Sequence, residues 1–195
     1  MKPLLIVITI LSSIAAVSGS ILLLNNTNNR QEDSGQSIES FYINELIKAS
    51  IENECIEVGN PLVYPGTRTE EQVPLFDLVE QECLVFRFSG AACDVCVDFV
   101  LDKIKNKFSD FRSNPRVLLI GSQLNPRVKE TYYGKSVLSY ASDDLGIPFE
   151  EYQIPFLFIL DRERTCKMIF IPEKALPELT DFYLDTVLKR YFTNE

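Results

Sequence analysis

Residues 84–96 read Leu84-Val85-Phe86-Arg87-Phe88-Ser89-Gly90-Ala91-Ala92-Cys93-Asp94-Val95-Cys96. The near-continuous apolar run from Leu84 to Phe88 predicts a buried strand, and the small residues Ser89 to Ala92 predict a tight exit from it. From Asp94 to about Asp110 the pattern turns helical, with Cys96, Val100, Ile104, Phe108 and Phe111 on one face. Asp94, Asp98 and Asp102 fall early in that helix and Lys103, Lys105 and Lys107 late, the order that suits the helix dipole. Two cysteines three residues apart therefore stand where a strand hands over to a helix. Unpaired backbone N–H groups there favour a thiolate on Cys93, and Cys96 lies within disulfide reach, so the pair can pass between dithiol and disulfide.

Downstream, Arg116 to Gly121 predicts a second strand, and Asn125-Pro126 the start of a second helix running to about Tyr140. Ile147 to Gln153 reads as extended. Pro155 to Leu160 and Lys167 to Ile171 read as an antiparallel hairpin across the charged turn Asp161–Arg164, and Pro177 opens a last helix. Upstream, residues 54–80 suggest short strands on the edge of the main sheet. Phe41, Leu46, Ile47 and Ile51 suggest a short amphipathic helix over 38–53. The order β-α-β-α-(β)-β-β-α predicts an α/β domain, a mixed sheet with helices on both faces.

The N-terminal run Pro3 to Leu24 carries no charge and, as a helix, would extend about 33 Å, enough to cross a hydrocarbon core of about 30 Å. Positive charge lies only ahead of it, so the remainder is expected outside the cytoplasm. A cleaved signal peptide, with Ala16 to Ser20 as its processing region, is the other reading, and both export the remainder of the chain. The division is then an anchor or signal peptide over 1–24, a tether and short helix over 25–53 and a domain over 54–195. The expected location is the cell membrane, single-pass, with the domain extracytoplasmic.

The chain of 195 residues has a net charge of −9, which argues against nucleic acid as a partner. It contains no histidine, and this excludes Ser-His-Asp and Cys-His catalysis and histidine metal sites within this chain. Zinc at Cys93 and Cys96 is disfavoured because no second C-x-x-C supplies the other ligands, and no cofactor is expected. Around Cys93 the residues a peroxidatic cysteine would want are replaced by Gly90 and Val85. Gly134-Lys135-Ser136 lacks the first glycine of a phosphate loop, Lys129 standing in its place.

Around Cys93, Cys96 and Ile154-Pro155 the sequence resembles the thioredoxin-like superfamily, and within it the membrane-tethered extracytoplasmic thiol-disulfide oxidoreductases of bacteria, the redoxin-like proteins. The resemblance covers about residues 54–193, including an N-terminal β extension. It implies Cys93 as nucleophile and Cys96 as resolving thiol. It further implies a cis Pro155 facing the dithiol, Ile154 offering its backbone to a substrate peptide, and protein thiols or disulfides as partners. Two features depart from the family: Ala91 and Ala92 stand where a tryptophan is usual, and Arg87 stands where many members carry a buried acid. An Arg87 that reached the thiols would favour their thiolates; Asp94 would act in the opposite sense. The same departures leave open a non-catalytic binding module of the cell envelope, or an inert disulfide.

Three cysteines remain. In the resembled fold Cys83 and Cys166 lie at the sheet end away from the dithiol, on strands separated by a third. Two strand spacings, about 9.6 Å, exceed disulfide reach. Cys55 with Cys83 stays open, beside the reading of all three as buried structural thiols.

Overall fold

The computed structural model describes residues 39–66, 71–122, 128–140 and 144–193. The expected membrane anchor or signal peptide and most of the tether lie outside the described residues. Among those described, no helix is long and apolar enough to cross a membrane. The chain divides into two units, Met1–Glu45 and Leu46–Glu195. In the first, residues 39–45 are helical; the same helix, α1, ends at residue 53 within the second.

The second unit is built on a seven-stranded mixed sheet. Its strands are β1 (Ile56–Glu57), β4 (Cys83–Ser89), β5 (Val117–Ser122), β6 (Thr131–Tyr132), β7 (Lys135–Tyr140), β8 (Phe156–Leu160) and β9 (Thr165–Phe170), in the order β1-β9-β8-β4-β5-β7-β6. The central three, β4, β5 and β7, run parallel; β8 is antiparallel to β4, β9 to β8, and β1 to β9. The short strands β2 (Leu62–Val63) and β3 (Val73–Pro74) pair with each other, and Tyr64 bridges to Ser139 of β7. Of the short strands expected on the sheet edge, β1 takes that place.

Alternation along the central strands splits the core in two. Leu84, Phe86 and Phe88 point to one face, where they meet Val97, Val100, Leu101 and Ile104 of α2 (Asp94–Lys107) and Tyr183, Leu184 and Val187 of α3 (Pro177–Val187). Each such aliphatic side chain removed from water contributes about 1.5–3 kcal/mol, which fixes α2 against β4. Lys103 and Lys107 of α2 pair with Asp181 and Asp185 of α3 at 2.5 and 2.6 Å. Cys83 and Val85 point to the other face, with Val63, Leu75, Leu145, Ile147 and Phe149.

The second predicted helix, 125–140, is not formed where it is described. Residues 131–140 are the hairpin β6–β7, turning through Tyr133 and Gly134, both at positive φ (49° and 78°), a conformation that ends any helix and suits a tight hairpin turn. Val137 then enters one core and Leu138 the other, the period of a strand. With a strand in place of that helix, α2 and α3 share one face, and the opposite face is covered by β2–β3, the 3₁₀ turns and Ala49 at the end of α1 instead of the expected second helix. Two of those turns, Leu75–Leu78 and Pro148–Tyr152, stand where extended chain was expected. In α1, Leu46 packs against the core as the apolar spacing suggested, but Phe41, Ile47 and Ile51 are exposed and Ala49 and Asn53 complete the packed face instead.

Candidate active site

Small residues make the exit from β4. Ala92 N–H donates to the Ser89 carbonyl (3.0 Å) and Ala91 N–H to the Ser89 hydroxyl (3.3 Å), turning the chain into α2 with Cys93 as its N-cap. Cys93 caps the helix through its sulfur, which accepts from the Cys96 N–H at 3.1 Å, while its carbonyl receives the N–H groups of Cys96 and Val97. Cys93 and Cys96 are joined as a disulfide with Cα atoms 5.2 Å apart. Cys93 is exposed and Cys96 half-buried, so an attacking sulfur meets the first more readily than the second. Asp94 and Val95 between them are also exposed.

The segment before β8 reaches the same end of the sheet. Arg87 pairs in register with Phe156, and two residues further along β4 the Ser89 hydroxyl donates to the Gln153 carbonyl at 2.9 Å. Ile154 (39% exposed) and the half-buried Pro155 lie between those two attachments. No peptide bond among the described residues is cis, so Pro155 departs from the cis form the resemblance implied. The chain reversal is made instead at Gln153, which closes the Pro148–Tyr152 turn in the left-handed region at φ 54°.

No family model and no curated protein matches the chain. Among solved structures it is similar to an uncharacterised thioredoxin-like protein from Porphyromonas gingivalis, at 16% identity over 71% of this chain and 97% of that one, with a TM-score of 0.46. It is similar also to a thiol:disulfide interchange protein from Bacteroides sp. (16% identity, 72% and 93%, TM-score 0.44) and to Arabidopsis thaliana ScoI with copper bound (12%, 69% and 99%, 0.44). These likenesses are distant. What decides the architecture is the run β5-β4-β8-β9 in the sheet: a parallel βαβ unit with α2 as crossover, then an antiparallel hairpin on the other side of β4, then a last helix on the α2 face.

The fold is thioredoxin-like.

The sequence-predicted Cys93, Cys96, Asp94, Ile154 and Pro155 all lie at the same end of the sheet, by the strand-to-helix junction after β4. Arg87 does something else. It is 4% exposed and on the face opposite α2, where its Nε meets Glu150 Oε1 at 2.9 Å and its guanidinium lies over the Phe156 ring, 5.6 Å from the centroid. Glu150, 7% exposed, also accepts from the Tyr140 hydroxyl (2.5 Å) and the Leu145 N–H (2.6 Å). Burial first, and then the Glu150 charge, push the Tyr140 phenol well above its ordinary range. Arg87 is thus neither solvent-facing nor drawn to a sulfur among the described contacts; its charge is answered by Glu150. Sequence reading missed Glu150. The available signal was a lone arginine inside an apolar strand, which requires a buried counter-ion, and Glu150 stands beside the apolar Ile147-Pro148-Phe149.

The other three cysteines are free. Cys83 pairs in register with Leu160 and Leu160 with Cys166, so one strand separates the two, as expected, and both are buried. Cys55 is exposed, which corrects the reading of all three as buried. Being just before β1, it is parted from Cys83 by β9 and β8 in the sheet order, too far to pair.

Proposed function

We propose that this chain is an extracytoplasmic thiol-disulfide oxidoreductase acting on protein thiols and disulfides through Cys93 and Cys96. One observation carries the reading: an exposed N-cap cysteine bonded to a less exposed partner one turn on, with the backbone of Ile154 and Pro155 secured at the same sheet end. In the reducing direction the Cys93 thiolate attacks one sulfur of a substrate disulfide. That S–S bond breaks, a mixed disulfide forms, and the expelled substrate thiolate takes a proton from solvent. Cys96, deprotonated, then attacks the Cys93 sulfur, releasing the second substrate thiolate, which takes a proton from solvent in turn, and leaving the Cys93–Cys96 disulfide. Two electrons and two protons have passed to the substrate, and the reverse sequence oxidises a dithiol. The helix start favours the thiolate form of its N-cap cysteine, and Ile154 would offer backbone hydrogen bonds to the substrate chain.

Export is read from the uncharged Pro3–Leu24 run, as an anchor or as a signal peptide. Ala91 and Ala92, where an aromatic platform would stand, favour a second reading, a non-catalytic binding module of the envelope. A trapping experiment separates them. A Cys96→Ser variant should accumulate mixed disulfides in cells, and the purified protein should exchange with a model disulfide. Failure of both leaves the binding module.

A further inference from the structure

We infer that Arg87 and Glu150 are positioning residues that set the spacing between the dithiol and the substrate-binding backbone at Ile154; the inference rests on the redox reading above. Arg87 sits on β4, the strand that delivers the dithiol six residues later. It grips the segment Glu150–Phe156 at both ends: its side chain pairs with Glu150 at 2.9 Å, and its backbone stands in register with Phe156. Ile154 and Pro155 lie inside the span so held. Glu150 in turn gathers the chain ahead of that span. Its carboxylate takes the Leu145 N–H and the Tyr140 hydroxyl, and its backbone carbonyl takes the Gln153 N–H at 3.0 Å. Ser89 adds a third attachment, its hydroxyl donating to the Gln153 carbonyl immediately before Ile154.

The arrangement explains why a full positive charge is tolerated in the middle of a buried strand. A buried ion pair is a poor source of stability, but it fixes one relative placement of the groups it joins; here Arg87 Nε bonds Glu150, while its buried Nη1 has no hydrogen-bond partner among the described residues. Here the joined parts are the strand that leads into the reactive sulfurs and the loop that would hold a substrate chain against them. A small disulfide needs only the sulfurs. A peptide disulfide needs the loop as well.

The test compares these two substrates. The reduced protein is mixed either with bis(2-hydroxyethyl) disulfide or with a peptide carrying one cysteine as a mixed disulfide with thionitrobenzoate. Oxidation of Cys93 and Cys96 is followed by alkylation and mass spectrometry in the first case, and chromophore release in the second. Glu150→Gln presents an amide N–H₂ toward donors that a carboxylate had accepted, so it should raise KM for the peptide about tenfold. Its rate with the small disulfide and its reduction potential should stay within about twofold and about 10 mV of wild type. Ser89→Ala, which removes only the Gln153 attachment, should show the same split at about three- to fivefold. It stands in if Glu150→Gln fails to give a native circular dichroism spectrum. Equal losses on both substrates, or an unchanged peptide KM in folded variants, overturn the inference and leave the redox reading intact. A wild-type protein that exchanges with neither substrate overturns both.

Discussion

Alkylation with iodoacetamide at pH 8 should sort the three cysteines outside the dithiol by their surroundings. Cys83 is buried in the core opposite α2, and burial, only partly offset by the nearby Arg116 charge, pushes its thiol up to about 12. At pH 8 about one Cys83 in 10⁴ is then a thiolate, against about a quarter of an unperturbed thiol near 8.5. Because the thiolate is the reactive form, the electrostatics alone slow Cys83 by about three orders of magnitude. Its hydrogen bond to the Gln81 carbonyl (3.1 Å) and its closed packing slow it further. Burial raises the Cys166 thiol in the same way, with Glu54 and Cys55 adding to the effect. Cys55 is exposed. Mass spectrometry of the oxidised native protein should therefore find one rapid label, on Cys55, and three labels only in denaturant. Alkylation of Cys83 within about tenfold of the Cys55 rate would refute the burial argument. It would also add a competing thiol to the proposed mechanism, which uses Cys93 and Cys96 alone.

Two further outcomes are expected from the packing. Burial raises Asp161, but the hydrogen bonds from Lys167 and from the Thr165 N–H (2.8 Å) and hydroxyl (3.0 Å) outweigh it, and its carboxyl is held below the usual range. A lowered folded-state value stabilises above the unfolded one, near 4, and is lost as pH falls through the folded value. Asp161→Asn should thus cost about 1–2 kcal/mol in urea titrations at pH 6, with the gap to wild type closing below about pH 4; a gap that is constant with pH would contradict this. Gly121→Ala would place a Cβ 2.8 Å from Val128 Cγ1 and 3.1 Å from Val137 Cγ1. Urea titration should show a cost of about 1–3 kcal/mol, partly recovered by adding Val128→Ala; no cost would mean that β5 and β7 pack more loosely than described.

How far the sequence could be read depended on the range of the interaction involved. Strand β4, helix α2, the β8–β9 hairpin and α3 each announce themselves through apolar period, turn residues or a proline at the helix start, all local signals. The β6–β7 hairpin was misread because Asn125-Pro126 looked like a helix start and Lys135-Ser136-Val137-Leu138 has no strict alternation. Both of its faces are covered, so Val137 and Leu138 are equally apolar. The 3₁₀ turn at Pro148–Tyr152 looked extended for want of any local contrast. At the site, Cys93, Cys96 and Ile154-Pro155 were visible as motifs. The role of Arg87 was not, because it depends on Glu150, 63 residues away in sequence, and on Tyr140 from a strand that was expected to be a helix.

The central claim is that Cys93 and Cys96 form a working couple. Equilibrating the protein in dithiothreitol buffers of graded potential and counting alkylated cysteines measures that couple directly. A reversible two-electron transition confined to Cys93 and Cys96, with a midpoint between about −120 and −270 mV, is the predicted result. A disulfide that stays closed below about −300 mV, as structural bridges do, would contradict it.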